Sequence, residues 1–277
     1  MRRSTVTAGT STLLAAALLA SVAACSAGGD DDGAKPKSTP TPSERPVKVP
    51  DTPVSRAAAK SADGSARIDE TIRLTSQGST LTISVAGPFD MAGDKGKLSV
   101  ESPGGEIDHV DEIFGGGKVY LRPLDDLGKK KWAVVDRDQA KAHFMLRAPL
   151  NDPEHVLRQI STMRHVAEKG SEKIGGAATT RYTGTLDHAT LSMRLEATTR
   201  GKLDALRQKQ GKDLPVVADA WVDGKGRLVR ARMSWHMGDM TGRITMDLSG
   251  FGVKVKAPVP DSSATVPVEA PEGLLLG

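Results

Sequence analysis

VVADAWVDGKGRLVRARMSWHMGDMTGRITMDLS, residues 216–249, alternates more cleanly than any other part of the chain. Val216, Ala218, Ala220 and Val222 share one parity, with Val217, Asp219 and Trp221 on the other, up to a turn at Asp223-Gly224-Lys225-Gly226. Val229, Ala231, Met233, Trp235 and Met237 then alternate with Leu228, Arg230, Arg232, Ser234 and His236. Past Gly238-Asp239, Met240, Ile244, Met246 and Leu248 alternate with Thr241, Arg243, Thr245, Asp247 and Ser249. A period of two, held over three segments joined by glycine-containing turns, predicts three antiparallel strands with one wet face.

The same period runs through the first half of the chain. In Arg67 to Thr75, Ile68, Ile72 and Leu74 oppose Arg67, Asp69, Thr71 and Arg73, and after Gln77-Gly78-Ser79 the residues Leu81, Ile83 and Val85 continue it. Leu98 and Val100 mark a third strand, followed by Ile107 to Phe114, Lys118 to Arg122 and Trp132 to Asp136. Together these predict an antiparallel meander with one apolar face. Two further strands, Val166 to Ile174 and Ala177 to Leu186, turn at Gly175-Gly176.

Helices interrupt the strands at one place. Asp152 is a good N-cap with Pro153 at the first helical position, and Pro153, Val156, Leu157, Ile160 and Met163 form one stripe. Ala189 to Gln210 reads as a second helix with Leu191, Leu195, Leu203 and Leu206 on its buried side; Gly201 weakens its continuity. The fold class is therefore α+β: a long curved antiparallel sheet of about ten strands covered by two helices. Two helices are narrow cover for such a sheet. Either it curls tightly on itself, or it leaves a concavity that something apolar can occupy.

At the other end of the chain, Leu13 to Cys25 reads LLAAALLASVAAC, behind Arg2 and Arg3. A charged start, a short apolar run and small residues before the chain's one cysteine are the pattern of a secretory signal. Val22-Ala23-Ala24-Cys25 resembles the bacterial lipobox, in which the cysteine is lipidated and becomes the first mature residue; an ordinary signal peptide with a cysteine near its cleavage site is the alternative. Arg2-Arg3 leaves Sec and Tat export both open. Residues 25–56 are rich in Pro, Gly, Ser and Thr and read as a disordered tether. Extended, its roughly thirty residues would reach about 90 Å. The expected organisation is a signal peptide at 1–24, the tether at 25–56, a folded domain at 57–260 and a flexible tail at 261–277.

Composition narrows the function by exclusion. The formal net charge is +4, two units of which are Arg2 and Arg3, so nothing marks the chain for nucleic acid. A single cysteine permits no internal disulfide. Of the six histidines, no two have the spacing of a helical zinc site. His155 and His165 flank the first helix, where solvent-facing or capping roles are expected, and His236 falls on a polar strand face. Asp108, Asp111 and Glu112 beside His109 read as a hydrophilic strand end rather than a metal or acid–base site. No Gly-Lys pair has the Ser or Thr of a P-loop, and no G-x-S-x-G elbow is present. No enzyme, cofactor or metal is expected. Lys129-Lys130-Lys131 reads as a solvated loop or a contact for anionic head groups. Met233, Met237, Met240 and Met246 suit either plain core or a cavity for variable acyl chains.

Several stretches together carry a resemblance. They are the lipobox ending in Cys25, the Asp152-Pro153 helix start, Val166-Ala167-Glu168-Lys169-Gly170 leading into Thr180 to Asp187, and Ala220 to Gly226 opening the last hairpins. Over about Ala58 to Pro260 the layout resembles actinobacterial cell-envelope lipoproteins of the LprG/LppX type and, more remotely, the LolA/LolB carriers. The resemblance implies a half-open β-barrel covered by helices, with a cavity for the acyl chains of lipids or lipoglycans. The residues expected to line it are Ile72, Leu74, Leu81, Ile83, Val85, Val100 and Leu121 on the first strands. Val156, Leu157 and Ile160 on the helix, and Met233, Trp235, Ile244, Met246 and Leu248 on the last strands, complete the set. The expected protein is a carrier or chaperone on the extracytoplasmic face of the cell membrane, anchored through Cys25. Its partners would be lipid or lipoglycan acyl chains, the membrane, and an unidentified envelope protein. The alternative is a non-catalytic scaffold or interaction module whose sheet closes over a solid core.

Overall fold

In the computed structural model, which describes residues 47–105, 108–124, 127 and 131–268, the alternating segments become twelve strands of one sheet. The first six are β1 (Ser65–Ser76), β2 (Ser79–Asp90), β3 (Lys95–Glu101), β4 (His109–Gly115), β5 (Lys118–Arg122) and β6 (Trp132–Asp136). Then come β7 (Arg164–Ile174), β8 (Ala177–Leu186), β9 (Val216–Asp223), β10 (Leu228–Met237), β11 (Met240–Ser249) and β12 (Thr265–Pro267). The spatial order is β12-β6-β5-β4-β3-β2-β1-β11-β10-β9-β8-β7. Two meanders are thus joined where β1 pairs antiparallel with β11, Ile72 opposite Ile244. The edge strands β12 and β7 are not bonded to each other, so the sheet is an unclosed, half-open barrel.

The chain between β6 and β7, residues 137–163, must travel from one flank of this sheet to the other, and it does so across the apolar face. Helix α2 (Pro153–Ser161) lies on that path, started by the Asp152 carboxylate, which accepts from Glu154 N at 3.0 Å. Val156, Leu157 and Ile160 are buried in the main core with the inward residues of the sheet. Arg137 fixes the start of α2: it donates to both Asp152 oxygens, at 3.0 and 2.5 Å, and to Glu154 at 3.2 Å. Its guanidinium stands 5.6 and 5.4 Å from the rings of Phe89 and Phe114.

A helix not anticipated from the sequence completes the cover. Helix α1 (Pro53–Ala62) begins inside the segment assigned to the tether, with a capping box in which Thr52 Oγ1 accepts from Ser55 N at 3.0 Å and Ser55 Oγ accepts from Thr52 N at 2.9 Å. Val54, Ala57, Ala58 and Ser61 face inward at helical spacing. Ser61 Oγ donates to Leu228 O at 3.2 Å and accepts from Leu228 N at 3.0 Å, and Lys60 donates to Lys225 O at 2.6 Å. These bonds pin α1 to the β9–β10 turn, and α1 also packs on α2.

The expected second helix is split into α3 (His188–Leu191) and α4 (Ala197–Gln210). Between them the chain leaves helical geometry, Arg194 at φ 54°, to bond with the loop after β6: Ala142 N donates to Arg194 O and Glu196 N to Ala142 O, both at 2.8 Å. The Glu196 carboxylate then restarts the helix, accepting from Thr198 N at 2.7 Å and Thr199 N at 3.0 Å. Within the expected tail, Thr265–Pro267 form β12, which adds in parallel to β6. Cys25, the leader and the tether up to residue 46 lie outside the described residues.

Candidate functional site

Neighbouring inward positions of the central strands form rows. Ile83, Ile72, Ile244 and Met233 stand opposite one another in succession, and Ala218 continues the row. The next row, nearer the β1–β2 and β10–β11 turns, holds Leu81, Leu74, Gly242, Trp235 and Val216. The structure brings the fifteen sequence-predicted lining residues into one cluster. Twelve of them are at most 3 % exposed, whereas Leu74, Leu81 and Trp235 are only half-buried. Met237 joins them at this rim. Since α1 is pinned at the β9–β10 turn, the opposite end of β10 from Trp235, the apolar face emerges at the end α1 leaves uncovered. Close approach shapes the rim: a Cβ on Gly242 would sit 2.2 Å from Nε1 of Trp235.

Beneath this apolar face lies a polar group that the sequence reading passed over. Glu70 shares the inward parity of Ile68 and Ile72 and is 1 % exposed; neither of its carboxylate oxygens has a hydrogen-bond partner. Glu112, expected on a hydrophilic strand end, is fully buried instead, because β4 places it opposite Leu98 and Leu121 on the inner face. Asn151 Nδ2 donates to Glu112 Oε1 at 2.9 Å and Arg147 Nη2 donates to Asn151 Oδ1 at 2.5 Å. Glu70 on β1 and Glu112 on β4 are three strand steps apart, on the order of 14 Å in a flat sheet. The Arg147 charge acts on both carboxyls, opposing the effect of burial.

The backbone that delivers Arg147 and Asn151 is strained: Leu146, Leu150 and Asn151 have φ of 69°, 55° and 51°. Side-chain-bearing residues in this region cost about 1–3 kcal/mol each, a cost met at sites the surrounding structure over-determines. Burial drives the charges. It lifts Glu70 from 4.5 to about 7, against the opposing pull of Arg147, and lifts Glu112 to about 8. It also lowers Arg147 to about 10. On α2, His155 is not solvent-facing or capping but inside the helix and 1 % exposed, with neither ring nitrogen bonded, and burial lowers it to about 3. Gln159, one turn further along α2, is buried as well. Buried polar groups without partners are unusual in native interiors. A polar residue at inward parity within an alternating strand was the signal available for Glu70 and Glu112.

The remaining candidates resolve simply. His109 Nδ1 lies 2.6 Å from Glu101 Oε1 at an exposed strand end. His236 is exposed. Lys131 donates to Ser263 O at 3.2 Å, and Lys129 and Lys130 lie outside the described residues. Among the described residues no group of three or more His, Cys, Asp or Glu is placed to hold a metal ion, and no helix is long and apolar enough to cross a membrane.

Neither a protein-family model nor a curated protein sequence matches the chain. Solved structures do. LprF from Mycobacterium bovis aligns over 75 % of this chain and 95 % of its own at 13 % identity, with a TM-score of 0.46. The lipoprotein LppX from Mycobacterium tuberculosis aligns over 74 % and 96 % at 17 % identity, with a TM-score of 0.47. A LolA superfamily protein from Nitrosomonas europaea aligns over 76 % and 97 % at 10 % identity, with a TM-score of 0.28. These are the groups that the sequence motifs resemble; at such scores the architecture rests on the strand order itself.

Proposed function

We propose that the protein is a lipid-anchored, non-catalytic carrier that takes the acyl chains of an envelope lipid or lipoglycan onto the inner face of its sheet. The observation that carries this reading is the rim. The apolar rows of the core run on past the end that α1 covers and emerge half-buried at Leu74, Leu81, Trp235 and Met237. Each acyl CH₂ buried there is worth about 0.8 kcal/mol, so a chain is held without charged recognition. The polar group at Glu70, Glu112 and Arg147 offers the ester or hydroxyl oxygens of such a lipid a place to bond inside. Cys25, once lipidated, would hold the domain at the extracytoplasmic membrane surface.

A brominated acyl chain tests the reading. Bound at the rim, it quenches the fluorescence of Trp235, and a Trp235→Phe variant loses that saturable quench while Trp132 and Trp221 still emit. Absence of a saturable quench in the unaltered protein contradicts it. The rival, a scaffold with a closed core, is favoured by the near-complete burial of the deeper lining residues, Met233 and Ile72 among them. It predicts that no acyl chain binds at any concentration below its own aggregation.

A further inference from the structure

The outer face of the sheet carries a cleft that acyl binding does not use. Outward positions of β1, β11 and β10 place Arg73 opposite Arg243, Thr71 opposite Thr245, Arg232 opposite Thr245 and Arg230 opposite Asp247. They enclose about 350 Å³, lined by four arginines and a single carboxylate.

The two walls differ. On one, the arginines are held: Arg230 Nη2 donates to Asp247 Oδ2 at 2.6 Å, and Arg232 Nη2 to Asp219 Oδ2 at 3.1 Å. Both guanidinium groups stand against the Trp221 ring, 5.8 and 4.8 Å from its centroid. Trp221 is itself 2 % exposed, its Nε1 donating to Glu172 at 2.6 Å. This wall is stiff before any ligand arrives, which lowers the ordering cost of binding. On the other wall Arg73 and Arg243 are exposed and directly opposed, and neither has a carboxylate partner among the described residues. Like charges facing each other across a strand pair destabilise a sheet.

Arg230 and Arg232 are answered by Asp247 and Asp219, which leaves the two positive charges of Arg73 and Arg243 uncompensated. A carboxylate ligand brings one charge and two oxygens. A phosphate brings up to two charges and three or more oxygens, matching the paired N–H donors of arginine. We propose that this outer-face cleft, between Arg73 and Arg243 and the fixed Arg230–Arg232 wall, binds a phosphate group. Thr71 and Thr245 supply neutral hydroxyl donors at its floor. The same chemistry is offered by a phospholipid head group and by a free phosphate ester. The cleft lies on the face opposite the acyl rows, so its test is independent of the carrier reading.

The test uses the full chain with Cys25→Ser, so that anchoring does not intervene, and compares it with added Arg73→Gln, Arg243→Gln and both. Inorganic phosphate should raise the melting temperature of the parent chain, while chloride at matched ionic strength should not. Affinity should fall about tenfold for each arginine removed. In phosphate-free buffer each single variant should melt above its parent, because the opposed charges are relieved. Zwitterionic vesicles with and without phosphatidic acid separate the two sources. Vesicle binding that inorganic phosphate displaces identifies a head group; phosphate binding without vesicle binding identifies a soluble ester. If the double variant responds to phosphate as its parent does, or neither probe binds the parent, the proposal is overturned.

Discussion

The indole of Trp235 lies across the backbone of Gly242, its cross-strand partner, so closely that an added Cβ would come within 2.2 Å of Nε1. Gly242→Ala should swing the indole outward and cost about 1–3 kcal/mol of stability, the usual range for overpacking. A red-shifted tryptophan emission together with weaker acyl binding is the expected pair of readings. An unchanged spectrum would mean that the ring does not bound the rim.

The buried carboxyls give stability an unusual pH dependence. Burial holds Glu70 and Glu112 above the ordinary 4.5, at about 7 and about 8, so the folded protein keeps their protons longer than the unfolded chain does. Their contribution is full below pH 4.5 and is lost as pH rises through these raised values. Urea midpoints should therefore fall between about pH 5 and 8, and the double variant Glu70→Gln with Glu112→Gln should flatten this slope.

His155 works in the opposite sense. Its pKa is lowered from 6.5 to about 3, so its contribution is full above 6.5 and is lost as pH falls toward 3. His155→Leu should remove the part of acid unfolding that sets in over that interval, measured by circular dichroism against the unaltered chain.

Arg137 and Asp152 are both buried, with side chains 9 % and 4 % exposed, and the aspartate also caps α2. Arg137→Ala would leave that carboxylate without its bidentate partner, at a cost of about 3–5 kcal/mol. Chemical denaturation should show the loss, and hydrogen exchange should place it first at the start of α2.

Cys25→Ser should move the protein from the membrane fraction to the soluble extracytoplasmic fraction while leaving its circular dichroism unchanged. Retention in the membrane would argue against a lipid anchor at this cysteine.

Most of the sheet was legible because one apolar face imposes a period of two. β5 and β6 begin and end where the sequence placed them, and Asp152-Pro153 announced α2. What was missed has physical causes. Helix α1 is short and alanine-rich and follows a Pro-rich run, so its signals reduce to Thr52 and Pro53. β12 has three residues, too few for any period, and exists only by pairing with β6. The split after α3 depends on Ala142, some fifty residues upstream, which no local pattern encodes. The inward core positions could be read from parity, but Glu70 was hidden by the same rule: a carboxylate at an inward position breaks the pattern that identifies the strand.

The most direct measurement is mass spectrometry of lipids extracted from the Cys25→Ser protein, purified without detergent. Stoichiometric acyl-bearing species, depleted in a Met233→Trp variant that fills the inner row yet still folds, are the predicted result. A preparation free of lipid, with no uptake on exposure to envelope extracts, would contradict the claim that this sheet is completed by a guest.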